Sequence, residues 1–293
     1  MHRREFLGAT SLVLTRTSSW GALYRPNIPR TFSLDPITQL EIECKARIGV
    51  ALHETGSEQR IVYRGNEHFA MCSTYKLLLA GAILARVQRR KESLDRRIIV
   101  GDGDVIGHSP FVAKRAGATV TVQELCQAMM VESDNGAANL MLSSIGGPAA
   151  LTQFLRGIGD SSTRLDRTEP TVNESMPGEL RDTTTPIAML GSVERLLLGP
   201  VLLQTYRNQL IRWMIECQTG LRRLRDGLPE GWRAGDKTGT GVRGTYNDIA
   251  ICWQPNRAPL IVACYITDSN LEVEAANLIF RTLAIILLNM LIK

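Results

Sequence analysis

The spacing of apolar and polar positions changes its period twice along the chain. Residues 46–54 alternate and are rich in Ile, Val and Leu, and residues 60–63 follow a Thr-Gly-Ser turn, so two strands are predicted near the N-terminal end. Near the C-terminal end the same alternation predicts three strands, over residues 233–240, 246–253 and 260–267. The chain therefore carries strand patterns at both ends.

The stretch between these strands has helical periodicity. Residues 77–85 are apolar on every side, which predicts a helix that is buried all round. Further helices are predicted over residues 122–131, 136–144, 148–157, 186–198 and 201–217. Residues 272–291 predict a closing helix. Arg281 and Asn289 interrupt its apolar run, so we interpret it as an amphipathic core helix and not as a membrane span.

Strands from the two ends of the chain can pair in one sheet. We therefore predict an α+β fold, in which a five-stranded antiparallel sheet built from both chain ends, with flanking helices, accompanies an inserted all-helical lobe. The predicted division is an α/β lobe of residues 31–64 and 218–293 and a helical lobe of residues 65–217. A crevice between two such lobes is the expected place for an active site.

Charge is concentrated at the N-terminus. The chain has a net charge of +5, and its first 30 residues hold five arginines against Glu5 alone. The remainder is therefore close to neutral, which does not support a nucleic-acid partner. Arg3 and Arg4, followed by Phe-Leu and a short apolar run, resemble a twin-arginine export signal. We predict export to the periplasm, with no membrane insertion after the signal is removed.

The six cysteines show no C-x-x-C spacing, so we expect no zinc site and no metal or other cofactor. A twin-arginine substrate folds in the reducing cytoplasm. We therefore predict mostly buried free thiols, at Cys44, Cys72, Cys126, Cys217, Cys252 and Cys264.

Ser73 and Lys76 stand at the start of the apolar helix, on one face of it. A serine hydroxyl becomes a good nucleophile only when a neighbouring base accepts its proton. Lysine can be that base if burial or nearby positive charge lowers its pKa. The helix N-terminus adds partial positive charge and free backbone N–H groups, which could form half of an oxyanion hole.

Three later segments carry related chemistry. Ser133-Asp134-Asn135 follows a predicted helix, although such residues are also common in ordinary turns. Lys237-Thr238-Gly239 lies on a predicted strand, where Lys and Thr could bind a carboxylate or simply protect a sheet edge. A polar stretch that runs to residue 182 holds Glu169 and Asn173, whose carboxylate and amide could hold one water or belong to a solvated loop.

In this order the four segments resemble the class A serine β-lactamases, whose signature combines S-x-x-K, S-D-N and K-T-G. The resemblance runs from about residue 41 to the C-terminus. It implies hydrolysis of the amide bond of penicillins and cephalosporins through a serine acyl-enzyme, with carbapenems left open as further substrates. It also implies a small-molecule β-lactam substrate and a monomeric protein.

The resemblance assigns a role to each motif residue. Ser73 would be acylated, Lys76 would be its proton acceptor or electrostatic partner, and Ser133 would carry a proton to the leaving nitrogen. Glu169, with Asn173, would activate the water that hydrolyses the acyl-enzyme. The acylation base stays open between Lys76 and Glu169. The substrate amide would bind Asn135, and the substrate carboxylate would bind Lys237, Thr238 and Thr240. The N–H groups of Ser73 and Thr240 would form the oxyanion hole. Arg167 and Asp182 would close the neck of the loop that carries Glu169.

Several positions depart from the commonest pattern of that family. Tyr246 stands where many members have an arginine for the substrate carboxylate, and Arg223 matches an alternative arginine, although an exposed helix-end arginine would have the same sequence. His108 falls at an aromatic gate position and could stack on substrate or be an ordinary surface histidine. The usual disulfide partner of Cys72 is Gly241 here, so that bridge cannot form.

Two alternatives share most of these residues. A penicillin-binding D,D-peptidase has the Ser/Lys, Ser-x-Asn and Lys-Thr-Gly groups but lacks the deacylating glutamate, and a sensor domain is acylated without turnover. Glu169 with Asn173 favours the hydrolase over both. A Ser-His-Asp hydrolase is disfavoured, because none of the four histidines lies in a G-x-S-x-G context.

Overall fold

The computed structural model describes residues 32–292. The predicted export signal, residues 1–30, lies outside the described residues. The helices are α1 Asp35–Cys44, α2 Tyr75–Gln88, α3 Val122–Val131, α4 Asn135–Ile145, α5 Pro148–Gly157, α6 Pro186–Leu197, α7 Gln204–Ile215 and α8 Val273–Ile292. The strands are β1 Arg47–Glu54, β2 Arg60–Tyr63, β3 Phe69–Ala70, β4 Arg97–Ile99, β5 Thr119–Thr121, β6 Thr183–Thr184, β7 Arg233–Gly241, β8 Thr245–Trp253 and β9 Leu260–Thr267.

Five strands form one antiparallel sheet in the order β2-β1-β9-β8-β7. The first two strands of the chain thus pair with the last three, which confirms the predicted α+β fold. Residues between β2 and β7 supply the helices α2 to α7. Because β7 is last in the order, the Lys-Thr-Gly segment lies on a sheet edge, as predicted.

Both faces of the sheet are covered. On β1, Val50 and Leu52 belong to a core cluster shared with α1 and α8, whereas Ala51 belongs to the cluster that includes α2 and α6. The same alternation runs along β9, where every residue is buried. Successive side chains of a strand point to opposite faces, so a sheet covered on both sides needs apolar residues at consecutive positions.

Helix α2 is the centre of the helical region. All eleven residues from Tyr75 to Ala85 are buried, which confirms the prediction of a helix enclosed on every side. A 3₁₀ turn, Cys72–Thr74, leads into it. The turn and the helix together bring the nucleophile candidate to the end of a rigid, close-packed element.

Helix α1 was not predicted. It has a proline in its first turn and buries only Ile37, Leu40 and Glu41, so its apolar signal is weak. Glu41 accepts hydrogen bonds from Arg64 and from the Ile48 backbone, and this explains why a charged residue is buried there. The prediction for residues 201–217 began too early, because residues 201–203 precede the first turn of α7.

Helix α8 is, within residues 32–292, the one helix long and apolar enough to cross a membrane by length and composition. Phe280, Leu283 and Leu287 are buried against the sheet, as expected of a core helix. All six cysteines are free and five of them are buried, which confirms the prediction of buried free thiols. An added Cβ at Gly241 would lie 2.7 Å from Cys72 Sγ, so the two positions are indeed adjacent.

Candidate active site

The segment before Ser73 is held by two strands of the sheet. Asn247, on β8, donates from Nδ2 to the carbonyl oxygens of Ala70 and Met71, each at 2.9 Å. On β7, an added Cβ at Gly239 would lie 2.7 Å from Met71 O, so only glycine allows this close approach. Ser73 is nearly buried and lines a cleft, at the point where the 3₁₀ turn enters α2.

Lys76 is fully buried and is surrounded by oxygen atoms. Its Nζ donates to Ser133 O at 2.8 Å and to Asn135 Oδ1 at 2.7 Å, and it lies 3.0 Å from Glu169 Oε1. Burial lowers the pKa of Lys76, while the negative charge of Glu169 opposes that shift. A lysine in this setting can exchange a proton with its neighbours more readily than an exposed lysine can.

The Ser133-Asp134-Asn135 segment joins α3 to α4. Asp134 has a structural role here. Its Oδ1 accepts from Ala137 N at the start of α4, and its Oδ2 accepts from the backbone N–H groups of Phe111 and Val112. Ser133 has a positive φ of 60° and its hydroxyl oxygen lies 3.0 Å from Lys237 Nζ, which donates to it. Ser133 thus contacts both buried lysines, and Asn135 contacts Lys76.

Glu169 is buried and is fixed at both its side chain and its backbone. Asn173 donates from Nδ2 to Glu169 Oε2 at 2.5 Å. Asn139, on α4, accepts from Glu169 N at 3.0 Å and donates to Glu169 O at 2.9 Å. The carboxylate therefore has a defined position beside Lys76, which a residue of a freely solvated loop would not have.

An ion pair closes the loop that carries Glu169. Arg167 Nε donates to Asp182 Oδ2 at 2.5 Å, and the other carboxylate oxygen accepts from the backbone N–H groups of Asp166 and Arg167. Asp182 is fully buried, and Arg167 also pairs with Glu174. These contacts join the two ends of the loop, as the resemblance implied.

The edge strand β7 brings a row of polar side chains to the cleft. Lys237 is fully buried, and its burial lowers its pKa to about 8, with Lys76 and Arg223 adding to the effect. Thr238 shares a 2.5 Å hydroxyl contact with Thr219. Thr240 accepts from Arg223 Nη2 at 2.8 Å. An anion in the cleft would thus meet hydroxyl groups with positive charge behind them.

Arg223 is buried, so the alternative of an exposed helix-end arginine is wrong. Its Nη1 donates to the carbonyl oxygens of Gly239 and Asn247 at 2.9 and 2.6 Å, and its burial lowers its pKa. The Tyr246 hydroxyl donates to Leu271 O, and the tyrosine ring centroid lies 5.9 Å from Arg223 Cζ. Arg223 therefore supplies positive charge near Tyr246, the position where many family members have an arginine.

His108 is exposed and lies on the rim of the cleft. Its Nε2 is 2.9 Å from Glu132 O, and its own carbonyl accepts from Asn135 N at 2.8 Å. The backbone contact ties the His108 loop to the start of α4. The ring is thus available beside the cleft.

These residues surround one cavity of about 240 Å³. Its lining includes eight of the eleven predicted site residues, and these are Ser73, His108, Ser133, Asn135, Asn173, Arg223, Thr238 and Thr240. The other three, Lys76, Glu169 and Lys237, are buried behind that lining and contact it through the hydrogen bonds given above. The structure therefore brings all eleven together.

Two residues of the site were missed in the sequence. Asn139 stands four residues after Asn135 on the same helix, and that spacing alone placed it on the same face. Thr219 lines the cavity and contacts Thr238, but nothing in its local pattern distinguishes it from other threonines. Its role depends on a tertiary contact between distant segments.

Comparisons with known proteins agree with this geometry. Residues 35–291 match the family described as the β-lactamase enzyme family. The chain is 43% identical to β-lactamase CTX-M-97 of Escherichia coli over 236 residues, which are 80% of this chain and 81% of that protein. It is also 43% identical to β-lactamase OXY-2 of Klebsiella oxytoca over 238 residues, covering 81% of this chain and 82% of that one.

Solved structures extend the similarity to the whole fold. An ancestral (GNCA) class A β-lactamase is 50% identical with a TM-score of 0.86, covering 87% of this chain and 98% of that chain. A β-lactamase from Xanthomonas campestris pv. campestris is 43% identical with a TM-score of 0.86, covering 88% and 96%. The motif residues, the antiparallel sheet and these relatives agree, and the chain belongs to the class A β-lactamases, serine hydrolases that open the β-lactam amide bond.

Proposed function

We propose a role for each site residue in β-lactam hydrolysis, the reaction that confers antibiotic resistance. Ser73 Oγ attacks the lactam carbonyl carbon, and its proton passes to Lys76 or, through water, to Glu169. The C–N bond breaks as Ser133 delivers a proton to the leaving nitrogen. The backbone N–H groups of Ser73 and Thr240 stabilise the oxyanion, and each such donor is worth about 10²–10³ in rate.

The proton path rests on one set of contacts. Lys76 and Lys237 approach Ser133 from two sides, since Lys76 Nζ binds its carbonyl at 2.8 Å and Lys237 Nζ binds its hydroxyl at 3.0 Å. A hydroxyl held by a lysine with a lowered pKa is a good proton relay. Its position between the two lysines supports Ser133 as the donor to the nitrogen.

Turnover rests on Glu169. Its carboxylate contacts Asn173 at 2.5 Å and Lys76 at 3.0 Å, so it is held in a polar corner directly behind the cleft. There it activates the water that cleaves the acyl-serine ester, which releases Ser73 for another cycle. The D,D-peptidase and the sensor domain need no water-activating group at the position of Glu169. The contacts of Glu169 with Asn173 and Lys76 therefore favour the hydrolase.

The substrate is held at two ends. Thr238 and Thr240 bind the carboxylate, with positive charge from Lys237 and Arg223 behind them, and Asn135 binds the side-chain amide. His108, on the rim, stacks on the part of the substrate that projects from the cleft. Thr240 and Arg223 favour activity on cephalosporins or carbapenems over activity restricted to penicillins. Rates on one penicillin, one oxyimino-cephalosporin and one carbapenem measure this range.

The roles are tested by following the serine itself. Wild-type protein mixed with a penicillin is expected to show an acyl adduct on Ser73 that forms and disappears within the reaction, by time-resolved intact mass spectrometry and peptide mapping. Ser73→Ala is the matched control and forms no adduct. An adduct on another residue, or one that persists for hours in the wild type, contradicts the assignment.

Three further proposals concern the whole chain. We propose an α/β lobe of residues 31–64 and 218–293, a helical lobe of residues 65–217, and a monomer, which multi-angle light scattering checks. We also propose that residues 1–30 direct twin-arginine export to the periplasm. A double Arg3→Lys, Arg4→Lys variant is expected to remain in the cytoplasm, and periplasmic accumulation of that variant contradicts the proposal.

A further inference from the structure

A second cavity lies at the C-terminal end of α2, whereas Ser73 precedes the N-terminal end of that helix. It has a volume of about 500 Å³, about twice that of the catalytic cleft, and is formed by the C-terminal end of α2, the end of α4 and helix α5. Arg86 in its wall stands ten residues after Lys76, which separates the two by about 15 Å along the helix axis. A cavity of this size accommodates a small organic molecule.

The floor of this cavity is apolar. Ile145, Phe154 and Ile158 line it, and all three are partly buried and packed against the core of the helical region. Phe154 and Ile158 lie one turn apart along α5 and its end, so they form a continuous apolar surface. Such a surface binds the hydrocarbon part of a ligand.

The rim is positively charged. Arg86, Arg89 and Lys91 line the cavity, and no carboxylate does so among the described residues. Within residues 32–292 none of the three forms an ion pair, and the buried Nε of Arg86 has no hydrogen-bond partner. The nearby carboxylate of Glu92 is already held by two hydrogen bonds of 2.7 Å from Arg96. Three basic groups thus line the cavity, and Glu92, the carboxylate that interacts electrostatically with Arg86, is already paired with Arg96.

The dipole of α2 accounts for only part of this arrangement. Basic residues in the last turn of a helix complement its partial negative charge, which explains the sign of Arg86 and Arg89. It does not explain an apolar cavity beside them, nor a buried guanidinium N–H without an acceptor. Leaving such a donor unsatisfied costs about 1–3 kcal/mol.

We propose that this cavity binds a small amphipathic carboxylate, whose anionic group pairs with Arg86 and Arg89 and whose apolar body packs on Phe154 and Ile158. Arginine is suited to this task because its planar fork matches a carboxylate at two points. The concave shape fits a single small molecule and not a flat lipid surface. The site is separate from the catalytic cleft and shares no lining residue with it.

Gly157 offers a way to close the cavity without changing its charge. It lines the cavity, its φ is not in the left-handed region, and an added Cβ would meet nothing within 4 Å. A leucine there would project into the open space. Gly157→Leu therefore tests occupancy of the cavity, while the double variant Arg86→Gln, Arg89→Gln tests its charge. Arg212→Gln is the control, because Arg212 is exposed on α7 and lies outside the cavity.

The experiment titrates the folded protein with 4-phenylbutyrate and, in parallel, with uncharged 4-phenylbutanol, by two-dimensional amide NMR. We expect saturable shifts at residues 150–158, and binding about tenfold weaker for the double variant, for Gly157→Leu and for the alcohol. Arg212→Gln should bind like the wild type. Thermal unfolding checks that each variant is folded.

The proposal is overturned by any of three results. The first is the absence of saturable shifts at residues 150–158. The second is binding by Gly157→Leu that equals that of the wild type. The third is sedimentation with phosphatidylglycerol vesicles that depends on Arg86 and Arg89 while 4-phenylbutyrate fails to bind, because this would identify a membrane surface instead of a small-molecule site.

Discussion

Lys76 Nζ lies 3.0 Å from Glu169 Oε1, and both side chains are fully buried. Burial lowers the pKa of Lys76, and the glutamate carboxylate acts in the opposite direction. The two groups are thus coupled, because the protonation of either changes the energy of the other. Any substitution of Glu169 therefore changes the surroundings of Lys76 as well as removing a base.

Glu169→Ala is expected to accumulate the acyl-enzyme. Without the carboxylate no group activates the hydrolytic water, and loss of a general base costs about 10²–10⁴-fold in rate. Acylation survives if Lys76 serves as its base, because the lysine loses the charge that held its proton. Intact mass spectrometry with a penicillin measures the adduct, and a stopped-flow burst gives the acylation rate.

Glu179→Ala is the matched control for this experiment. Glu179 belongs to the same loop, but its carboxylate is exposed and pairs with Arg181. It should turn over like the wild type. Normal turnover by Glu169→Ala without an adduct removes Glu169 from the mechanism, and a variant that fails to acylate assigns the first proton transfer to Glu169 and not to Lys76.

The pKa of Lys237 predicts a loss of substrate binding in alkali. Burial lowers that pKa to about 8, and only the protonated lysine attracts the substrate carboxylate. Above pH 8 we expect kcat/KM to fall by up to about tenfold per pH unit, mainly through KM. Lys237→Arg keeps its charge in this range, so its profile should stay flatter.

The same shift has the opposite effect on stability. The folded pKa is below the unfolded value, so between about pH 8 and pH 10.5 the unfolded chain binds the extra proton and this group makes folding more favourable as pH rises. Because the titration of Lys237 does not destabilise the fold as pH rises, unfolding caused by that titration cannot explain the loss of activity. If kcat/KM depends on pH in the same way in the wild type and in Lys237→Arg, and the Tm of each protein stays constant over that range, Lys237 is ruled out as the titrating group.

Arg223→Ala is expected to raise KM, because it removes positive charge from behind Thr240. A charge-assisted hydrogen bond contributes about 1.5–3 kcal/mol, which corresponds to roughly 10- to 100-fold in KM. Arg222→Ala is the control at the preceding position, where the side chain is exposed and pairs with Glu274. An unchanged KM leaves the carboxylate to Lys237 and Thr238.

A structural effect of Arg223→Ala must be separated from a binding effect. Arg223 also donates to the carbonyl oxygens of Gly239 and Asn247, so its loss loosens the contact between β7 and β8. Arg223→Lys keeps the charge but not the fork of donors. A KM that recovers in Arg223→Lys while Tm stays low assigns the binding effect to charge.

The local spacing of apolar and polar residues predicted much of the fold, because strands and helices each have a characteristic period of apolar residues. It identified α2 from its enclosing apolar run, and β7 and β8 from alternation. Burial of Arg223 could not be predicted, since it depends on carbonyl groups of two strands that lie 16 and 24 residues further along the chain. Thr219 was missed for the same reason, because its partner Thr238 comes from another segment, whereas the spacing from Asn135 did place Asn139 on the same helix face.

The motifs predicted the site better than single residues did. Lys76 and Lys237 were predicted as members of the S-x-x-K and K-T-G motifs, and both are fully buried. His108 is exposed on the rim of the cleft, and its ring contacts the backbone at Glu132 O. Weak amphipathicity hid α1, whose buried face consists of only three residues.

Asp182→Asn is expected to loosen the loop that positions Glu169. The substitution removes the charge that Arg167 pairs with at 2.5 Å, in a place where Asp182 is fully buried. Breaking a buried pair by changing one partner costs about 3–5 kcal/mol. We expect the lower end, because Glu174 remains to pair with Arg167. Urea unfolding measures the free energy, and acyl-enzyme accumulation measures the positioning of Glu169.

The matched comparison is Glu179→Gln, which breaks the exposed pair with Arg181 in the same loop and should leave both readouts unchanged. Slow deacylation in Asp182→Asn with normal acylation assigns the ion pair to holding Glu169 in place. A loss of stability with wild-type deacylation would instead limit its role to the fold. A variant whose free energy of unfolding and deacylation rate both match the wild type would show that the hydrogen bonds between the Asn139 side chain and the Glu169 backbone suffice to hold Glu169.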